Sequence, residues 1–434
     1  MNSINSYYQS TANDCPDFPS LTSDHTAEVC VIGGGFTGVN TALELAEKGV
    51  DVVLVEQHDI GWGGSGRNGG QLICGIGHDP ELIRKQLASN EFEQLYALGL
   101  EAVQILKQRI DRYQIECDFT WGYCTVAYDQ KRLQQLKQAY EMLKAQGYPF
   151  DLQLLEGTEL EKVVRSERYV GGLWDKGSAH LHPLNLVRGE AHAAIEQGAK
   201  IFAHTPVLHI EHSQNVAGSG QKKIEIITPK GRITADKVVL ACNAYLNGLQ
   251  PQLQSRFVTT NAFSIATEPL TDAQVADILP GNTAVCDNRP VIDYYRISRD
   301  KRLLFGGATH FVEYLPKDLD SHLRGNLAKV FPQLADIGID YRWSGRMAIG
   351  ANLFPQIGTI PEQDNIYYAQ AYAGFGVGPS HLIANILAEK ITGSSERFDM
   401  LAQLKHPKIF ASQSLNSLWV TAGKCWHQLE ARLH

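Results

Sequence analysis

The run Val29-Cys30-Val31-Ile32-Gly33-Gly34-Gly35-Phe36-Thr37-Gly38, closed further on by Val52-Val53-Leu54-Val55-Glu56, decides the fold. An apolar stretch ends in Gly33-x-Gly35-x-x-Gly38, a helical segment follows, and a second apolar stretch ends on a carboxylate. That order reads as the β-α-β opening of a dinucleotide-binding fold. Gly33 permits the tight turn from strand to helix, Gly35 lets a pyrophosphate approach the backbone, and Gly38 lets the helix lie close to the strand. The free N–H groups and positive dipole end of the helix starting near Gly35 then face the phosphates. Glu56 lies 18 positions past Gly38 (56 − 38), close to the separation of about 20 expected for the acid that holds a ribose 2′-OH. An acid there disfavours a 2′-phosphate. With both flanking strands in place, the glycine motif predicts a bound adenine dinucleotide.

Around this unit, 434 residues leave room for two or more domains, each with its own core. A hydrophobic share of 44% and a charged share of 20% are those of a soluble globular chain. Lys and Arg number 39 against 47 Asp and Glu, and the net charge of −8 argues against nucleic acid, whose phosphates need clustered cations. The polar opening through Thr26 lacks the basic region and apolar core of a signal peptide, and no window holds the roughly 18 apolar residues of a membrane span. A cytoplasmic protein without a transmembrane span is expected. The eight cysteines are scattered with no Cys-x-x-Cys, which speaks against zinc, iron–sulfur and thioredoxin-type redox sites and for small buried thiols. His180-Leu-His182 would point two rings the same way on a strand, and His204, His209 and His212 are close in sequence. No carboxylate or cysteine completes a metal set at either place, so no metal is expected.

A second glycine-rich loop follows Glu56: Gly61-Trp62-Gly63-Gly64-Ser65-Gly66-Arg67-Asn68-Gly69-Gly70-Gln71. It cannot form a stable helix or strand interior, but it suits a backbone wrapped closely around a ligand. Ser65, Arg67, Asn68 and Gln71 add groups suited to phosphates and ring heteroatoms. Periodicity predicts helices over 80–113, 131–146 and 183–198, and strands over 123–128 and 200–210. A loop is expected at 213–220, then a hairpin of 223–227 with 232–235, then a separate buried strand from Lys237 into the turn at Asn243-Ala244. Residues 257–311 are strand-rich, notably 291–298 and 303–307, and predict an antiparallel sheet in a separate substrate domain. A strand at 365–370 leads into Gly374-Phe375-Gly376-Val377-Gly378 and a helix through Ile391. Beyond Arg397 a basic tail with Trp419 and Trp426 reads as an amphipathic helix. The expected fold class is α/β, a Rossmann-like cofactor domain with an interleaved antiparallel-sheet substrate domain. The cofactor domain takes 27–88, 178–248 and 338–395, and the substrate domain 89–177 and 249–337. A polar tail (1–26) precedes them and a helical tail (396–434) follows.

Glycine loops spread along the whole chain suit one long cofactor gripped by several segments, which favours FAD over a nicotinamide nucleotide. Here the chain resembles the D-amino-acid-oxidase-type flavoproteins, and within them the gamma-glutamylputrescine oxidoreductase branch. The resemblance is carried by Gly33–Gly38, Gly61–Gln71, His182-Pro-Leu-Asn185, Cys242-Asn-Ala-Tyr245, Asp293-Tyr-Tyr-Arg296 and Asp340-Tyr-Arg-Trp-Ser-Gly345, and it extends from near Tyr7 to Asp399. It implies that Gly33, Gly35, Phe36, Thr37, Gly38 and Glu56 hold the adenosine and pyrophosphate, and that the backbone of Val207, in the strand after His204, meets adenine. Ser65, Arg67, Asn68, Gly70 and Gln71 would line the phosphates and isoalloxazine. Asn243 and Ala244, with Gly374, Phe375, Gly376 and Gly378, would close over the ribityl chain and flavin. Related amine oxidases commonly carry Gly-His-Gly where this chain has Gly374-Phe375-Gly376, so no histidine role transfers to that loop.

The family chemistry is oxidation of a carbon–nitrogen bond: hydride leaves the carbon beside a neutral amine for the flavin, and the imine hydrolyses to aldehyde and ammonia. Dioxygen or another acceptor would take the electrons. Tyr294, Tyr295, Arg296 and Arg346 are the substrate candidates. Strand alternation sends Tyr294 and Arg296 to one face and Tyr295 to the other, while Arg346 could grip a carboxylate in a bidentate way. Three readings stay open: an oxidoreductase of a gamma-glutamylputrescine-like primary amine, an amino- or imino-acid oxidase or dehydrogenase, and a non-catalytic flavin-binding subunit.

Overall fold

The computed structural model describes residues 6–15, 17–78, 80–212, 223–289, 291–310 and 319–409. Helix α1 (Tyr7–Ser10) precedes β1 (His25–Ile32), α2 (Phe36–Glu47) and β2 (Val52–Val55). After the glycine-rich loop come β3 (Gln71–Leu72), α3 (Ser89–Tyr113), β4 (Thr120–Ala127), α4 (Gln130–Ala145), β5 (Leu152–Leu155), β6 (Gly171–His180) and α5 (Pro183–Glu196). Then follow β7 (Lys200–Phe202), β8 (His209–His212), β9 (Ile224–Thr228), β10 (Gly231–Leu240), α6 (Pro251–Gln254), β11 (Phe257–Thr267) and α7 (Asp272–Ile278). The chain continues with β12 (Ala284–Asp287), β13 (Tyr294–Ile297), β14 (Leu303–His310), α8 (Leu319–Val330) and β15 (Ile339–Gly350). It closes with β16 (Gln356–Ile360), β17 (Gln363–Gln370), α9 (Val377–Thr392) and α10 (Glu396–Ala402).

The apolar runs become the centre of one sheet, ordered β16-β17-β10-β1-β2-β7, with β9 and β8 attached beside β10. β1 runs parallel to both β2 and β10, and β10 runs parallel to β17. Val29, Cys30, Val31 and Ile32 are all buried, because the sheet is covered on both faces. Val31, Leu54 and Val239 pack towards α2, α5 and α9, whereas Cys30, Val53 and Val238 pack with Ile226 and Ile366 on the other side. The carboxyl ends of β1, β10 and β17 therefore lie side by side, where doubly wound sheets bind ligands.

The second sheet is ordered β15-β11-β14-β13-β12-β4-β6-β3, with β5 on β6. It is antiparallel except where β12 meets β4. Its own core is built on Phe263, Ile265, Tyr295, Phe305 and Phe331. Among the described residues, no helix is long and apolar enough to cross a membrane.

Several expectations need correction. β3 and β15, expected within the cofactor domain, belong to the second sheet, since β15 pairs with β11 along its whole length and β3 pairs with β6. The helix expected over 80–113 starts only at Ser89, behind two short 3₁₀ turns. The strand expected over 200–210 is broken by His204 (φ +48°), leaving Val207 in a connection rather than a strand. The hairpin arm at 232–235 and the strand from Lys237 are one continuous β10. His180 ends β6, but His182 caps α5, so the two rings do not share a strand face. The opening segment is not simply polar, because Tyr7 and Tyr8 are buried. The loop expected at 213–220 and the tail with Trp419 and Trp426 lie outside the described residues.

Candidate flavin site

Three turns meet at the carboxyl ends of the parallel strands. The first links β1 to α2. Gly33 adopts φ +114°, and a Cβ there would lie 2.7 Å from the Ala241 carbonyl oxygen, so the turn requires glycine. Gly35 caps α2, which has no side-chain cap and no acid in its first turn. Its positive end is thus left for an anion. Gly38 sits so close to the Gly33 carbonyl that any side chain would overlap it. Thr37 Oγ1 lies 2.7 Å from Tyr372 Oη, and the Phe36 ring packs 5.1 Å from that of His381. The first contact ties α2 to the turn after β17 and the second ties it to α9, whose cap Gly376 also lacks a side-chain hydrogen bond and whose first turn also lacks an acid. Two helix N-termini at one site, each without an acid in its first turn, fit a cofactor carrying phosphates.

Glu56 follows β2, and its carboxylate accepts N–H groups from Gly34 (2.6 Å) and His58 (2.8 Å). A carboxylate has about four acceptor positions, so this bracing of the glycine turn leaves capacity for ribose hydroxyls. The second turn follows β10. Asn243 takes φ +46°, and its Oδ1 accepts the Ala371 N–H at 2.9 Å, joining this turn to the third, after β17. Ala244 is buried beside Ala371 and Ala348. In the third turn Gly374 (φ +85°) and Gly376 flank Phe375, and Gly378 packs onto Leu72.

The loop 61–71 spans both sheets. Ser65 Oγ accepts the Phe36 N–H at 2.8 Å, at the head of α2. Arg67 donates to the Trp62 carbonyl at 2.6 Å with its guanidinium over the Trp62 ring, so part of its hydrogen bonding goes into shaping the loop. Asn68 donates to the Gly64 and Ser65 carbonyls and accepts the Gly70 N–H at 2.8 Å, locking the turn internally. Gly70 (φ +69°) would, with any side chain, overlap the Leu181 carbonyl. Gln71 donates to the Val285 carbonyl at 3.2 Å.

The four substrate candidates part ways. The Tyr294 ring lies against Gly69 and Gly306, with its hydroxyl 3.4 Å from Ser264 Oγ, and burial pushes that phenol up to about 12. Tyr295, 1% exposed, stacks on Phe305 and hydrogen-bonds Tyr169, so its hydroxyl is engaged in the core of the second sheet. Arg296 is buried and donates to the Gly69 and Leu181 carbonyls, which ties its guanidinium to the loop 61–71. The Arg346 guanidinium stands 5.5 Å from the Tyr245 ring centre, and the Arg346 carbonyl oxygen lies beside Gly64 of the loop. Tyr245 is pushed up by burial and drawn down by both Arg67 and Arg346, which places two cations around one phenol.

Sequence reading missed His78. Its Nε2 lies 2.7 Å from the Ala373 carbonyl and so carries the ring proton, and its ring meets Phe375 edge-on at 5.6 Å. A histidine therefore does stand beside this loop, supplied from outside the glycine motif. Also missed was the buried set behind the two helix ends. Glu190 bonds His381 Nε2 (2.6 Å) and Asn40 (2.9 Å), while Arg109 bridges Asn40 and Glu44. Single polar residues on apolar helix faces gave no signal of their joint position.

The family model for FAD dependent oxidoreductases matches residues 28–390. The chain belongs to this family. It is an FAD-dependent oxidoreductase, with a Rossmann-like cofactor fold beside a mixed, mostly antiparallel sheet. It is 37% identical over 429 residues to the gamma-glutamylputrescine oxidoreductase of Escherichia coli (strain K12), covering 99% of this chain and 98% of that one. It is also 37% identical to the probable oxidoreductase OrdL of Haemophilus influenzae, covering 97% and 95%. Among solved structures, the L-proline dehydrogenase of P. horikoshii superposes with a TM-score of 0.71 at 22% identity, covering 87% of this chain and 96% of that one. The glycine oxidase of Geobacillus kaustophilus does so with a TM-score of 0.71 at 20% identity, covering 88% and 99%. These two share the fold.

Proposed function

We propose that this flavoenzyme oxidises a primary amine of the gamma-glutamylputrescine type, giving an imine that hydrolyses to an aldehyde and ammonia. The observation that carries the reading is the 37% identity, over nearly the whole of both chains, to gamma-glutamylputrescine oxidoreductase. FAD, when bound, supplies the hydride acceptor. Gly33, Gly35, Phe36, Thr37, Gly38 and Glu56 would hold its adenosine and pyrophosphate, with the backbone near Val207 at adenine. Ser65, Arg67, Asn68, Gly70 and Gln71 would carry it towards the second sheet, and Asn243, Ala244 and residues 374–378 would close over it.

An alkylamine is mostly protonated at neutral pH, and the reacting form is the neutral amine. The burial that pushes the Tyr294 phenol up also disfavours a charged amine beside it, which supports loss of the amine proton. The Tyr294 phenol, pushed up to about 12, stays neutral and can accept or donate a hydrogen bond without adding charge. Arg346 would bind the carboxylate of a glutamyl group. Dioxygen or another acceptor completes the cycle, and a cytoplasmic location fits such a substrate.

Product analysis tests the reading. Turnover of gamma-glutamylputrescine should release aldehyde and ammonia in equal amounts, with peroxide appearing only if dioxygen is the acceptor. Turnover of cyclic or D-amino acids alone would replace it with the amino- or imino-acid reading.

A further inference from the structure

Arg296 is 3% exposed, yet its hydrogen-bonded partners are neutral. Its Nε donates to the Gly69 carbonyl at 3.0 Å and its Nη2 to the Leu181 carbonyl at 2.7 Å. The same Nη2 donates to Tyr8 Oη at 3.2 Å. Burying a cation against dipoles alone is costly, so its geometry matters. The two carbonyls bracket Gly70, whose own carbonyl accepts the Leu181 N–H at 2.8 Å. One guanidinium thus fixes the turn of the cofactor loop from beneath.

The third partner, Tyr8, comes from the far end of the chain and is 0% exposed. Its ring meets His182 at 4.9 Å and Trp343 at 5.4 Å, both edge-on. Trp343 Nε1 in turn donates to the Arg67 carbonyl at 3.0 Å, so Tyr8 supports the loop at two points. A four-residue helix such as α1 has no stability of its own, and it is held by long-range bonds. Tyr7 Oη donates to Asp300 at 2.6 Å, and the Asn13 N–H donates to Asn185 Oδ1 at 2.9 Å. His182 Nδ1 accepts the Asn185 N–H, so its proton sits on Nε2 and is donated to Thr11 Oγ1 at 3.2 Å.

We propose that the segment 6–13 is an internal clamp for FAD, in which Tyr8 and Arg296 are positioning residues that set the Gly69–Gly70 turn against the flavin. The inference rests on the reading that loop 61–71 contacts the cofactor. Tyr8→Phe in the full chain should raise the FAD dissociation constant by about three- to tenfold, the share of one hydrogen bond to a charged group that reaches the loop. It should also speed amide exchange in the peptide spanning the loop and change the visible circular dichroism of the bound flavin. Arg296→Lys should do the same more strongly. Tyr7→Phe, which loosens the same segment but keeps the Tyr8–Arg296 bond, should shift loop exchange and the flavin spectrum clearly less than Tyr8→Phe does. Wild-type behaviour of Tyr8→Phe in all three readouts, or equal shifts from Tyr7→Phe, would overturn the clamp. If loop exchange responds to Tyr8→Phe but neither affinity nor spectrum does, the cofactor reading of the loop fails instead, and the clamp for FAD with it.

Discussion

Gly35→Ala separates cofactor binding from folding. Gly35 has extended backbone (φ −90°, ψ −175°), so alanine adds no backbone strain. Its Cβ would stand 2.8 Å from Ser65 Oγ, the acceptor of the Phe36 N–H. Displacing Ser65 loses one hydrogen bond, about 1 kcal/mol of stability. The new methyl also stands where the proposed pyrophosphate would approach the head of α2. Blocking two charge-assisted N–H bonds, each about 1.5–3 kcal/mol, removes about 3 kcal/mol or more of binding. The FAD dissociation constant should therefore rise on the order of 100-fold. Titrating cofactor-stripped protein with FAD by fluorescence, beside thermal unfolding of the same samples, reads both quantities. Gly49→Ala is the control. It also costs about 1 kcal/mol, because φ is +76° with nothing within 4 Å, but it should leave FAD affinity unchanged. A Gly35→Ala protein that binds FAD within about threefold of wild type would refute the placement of the pyrophosphate.

Glu190→Ala should destabilise the fold by about 3–5 kcal/mol in urea unfolding, because it strips the buried partners His381 and Asn40; a loss below about 1 kcal/mol would contradict this. Burial, with the Arg296 charge, lowers His180 to about 4 and His182 to about 3, so the folded state prefers both neutral. Stability should be full above the usual histidine value of about 6.5 and fall as pH drops towards 4. The slope per histidine should reach about 1.4 kcal/mol per pH unit, and His182→Asn, which keeps a cap on α5, should flatten it. Tyr295→Phe should lower the melting temperature and leave KM unchanged, whereas Arg346→Ala should raise KM for a carboxylated amine about tenfold or more with little change in melting temperature. Steady-state kinetics beside thermal melts check both.

The β1-α2-β2 unit was legible because glycine spacing and flanking apolar runs act within one short stretch. The turns at Asn243 and Gly374 were legible for the same reason, each ending a buried strand. What escaped depends on pairing between distant segments. Nothing local marks β15 as the partner of β11 rather than of the parallel strands. Tyr7 and Tyr8 sit in a polar stretch without periodicity, and their burial is fixed by Asp300 and Arg296, 293 and 288 positions away. Arg296 looked like a substrate contact because the face it shares with Tyr294 was legible, while the carbonyls waiting beneath Gly70 were not. His78 lies after the glycine loop with no motif of its own, and only the fold brings it to Phe375.

The central claim is that FAD at this site takes hydride from an amine. Anaerobic addition of gamma-glutamylputrescine to the purified, FAD-loaded protein tests it most directly. The flavin band should bleach with this amine faster than with proline, glycine or D-amino acids. An unchanged flavin band with the amine, in protein that an artificial reductant bleaches normally, would contradict it.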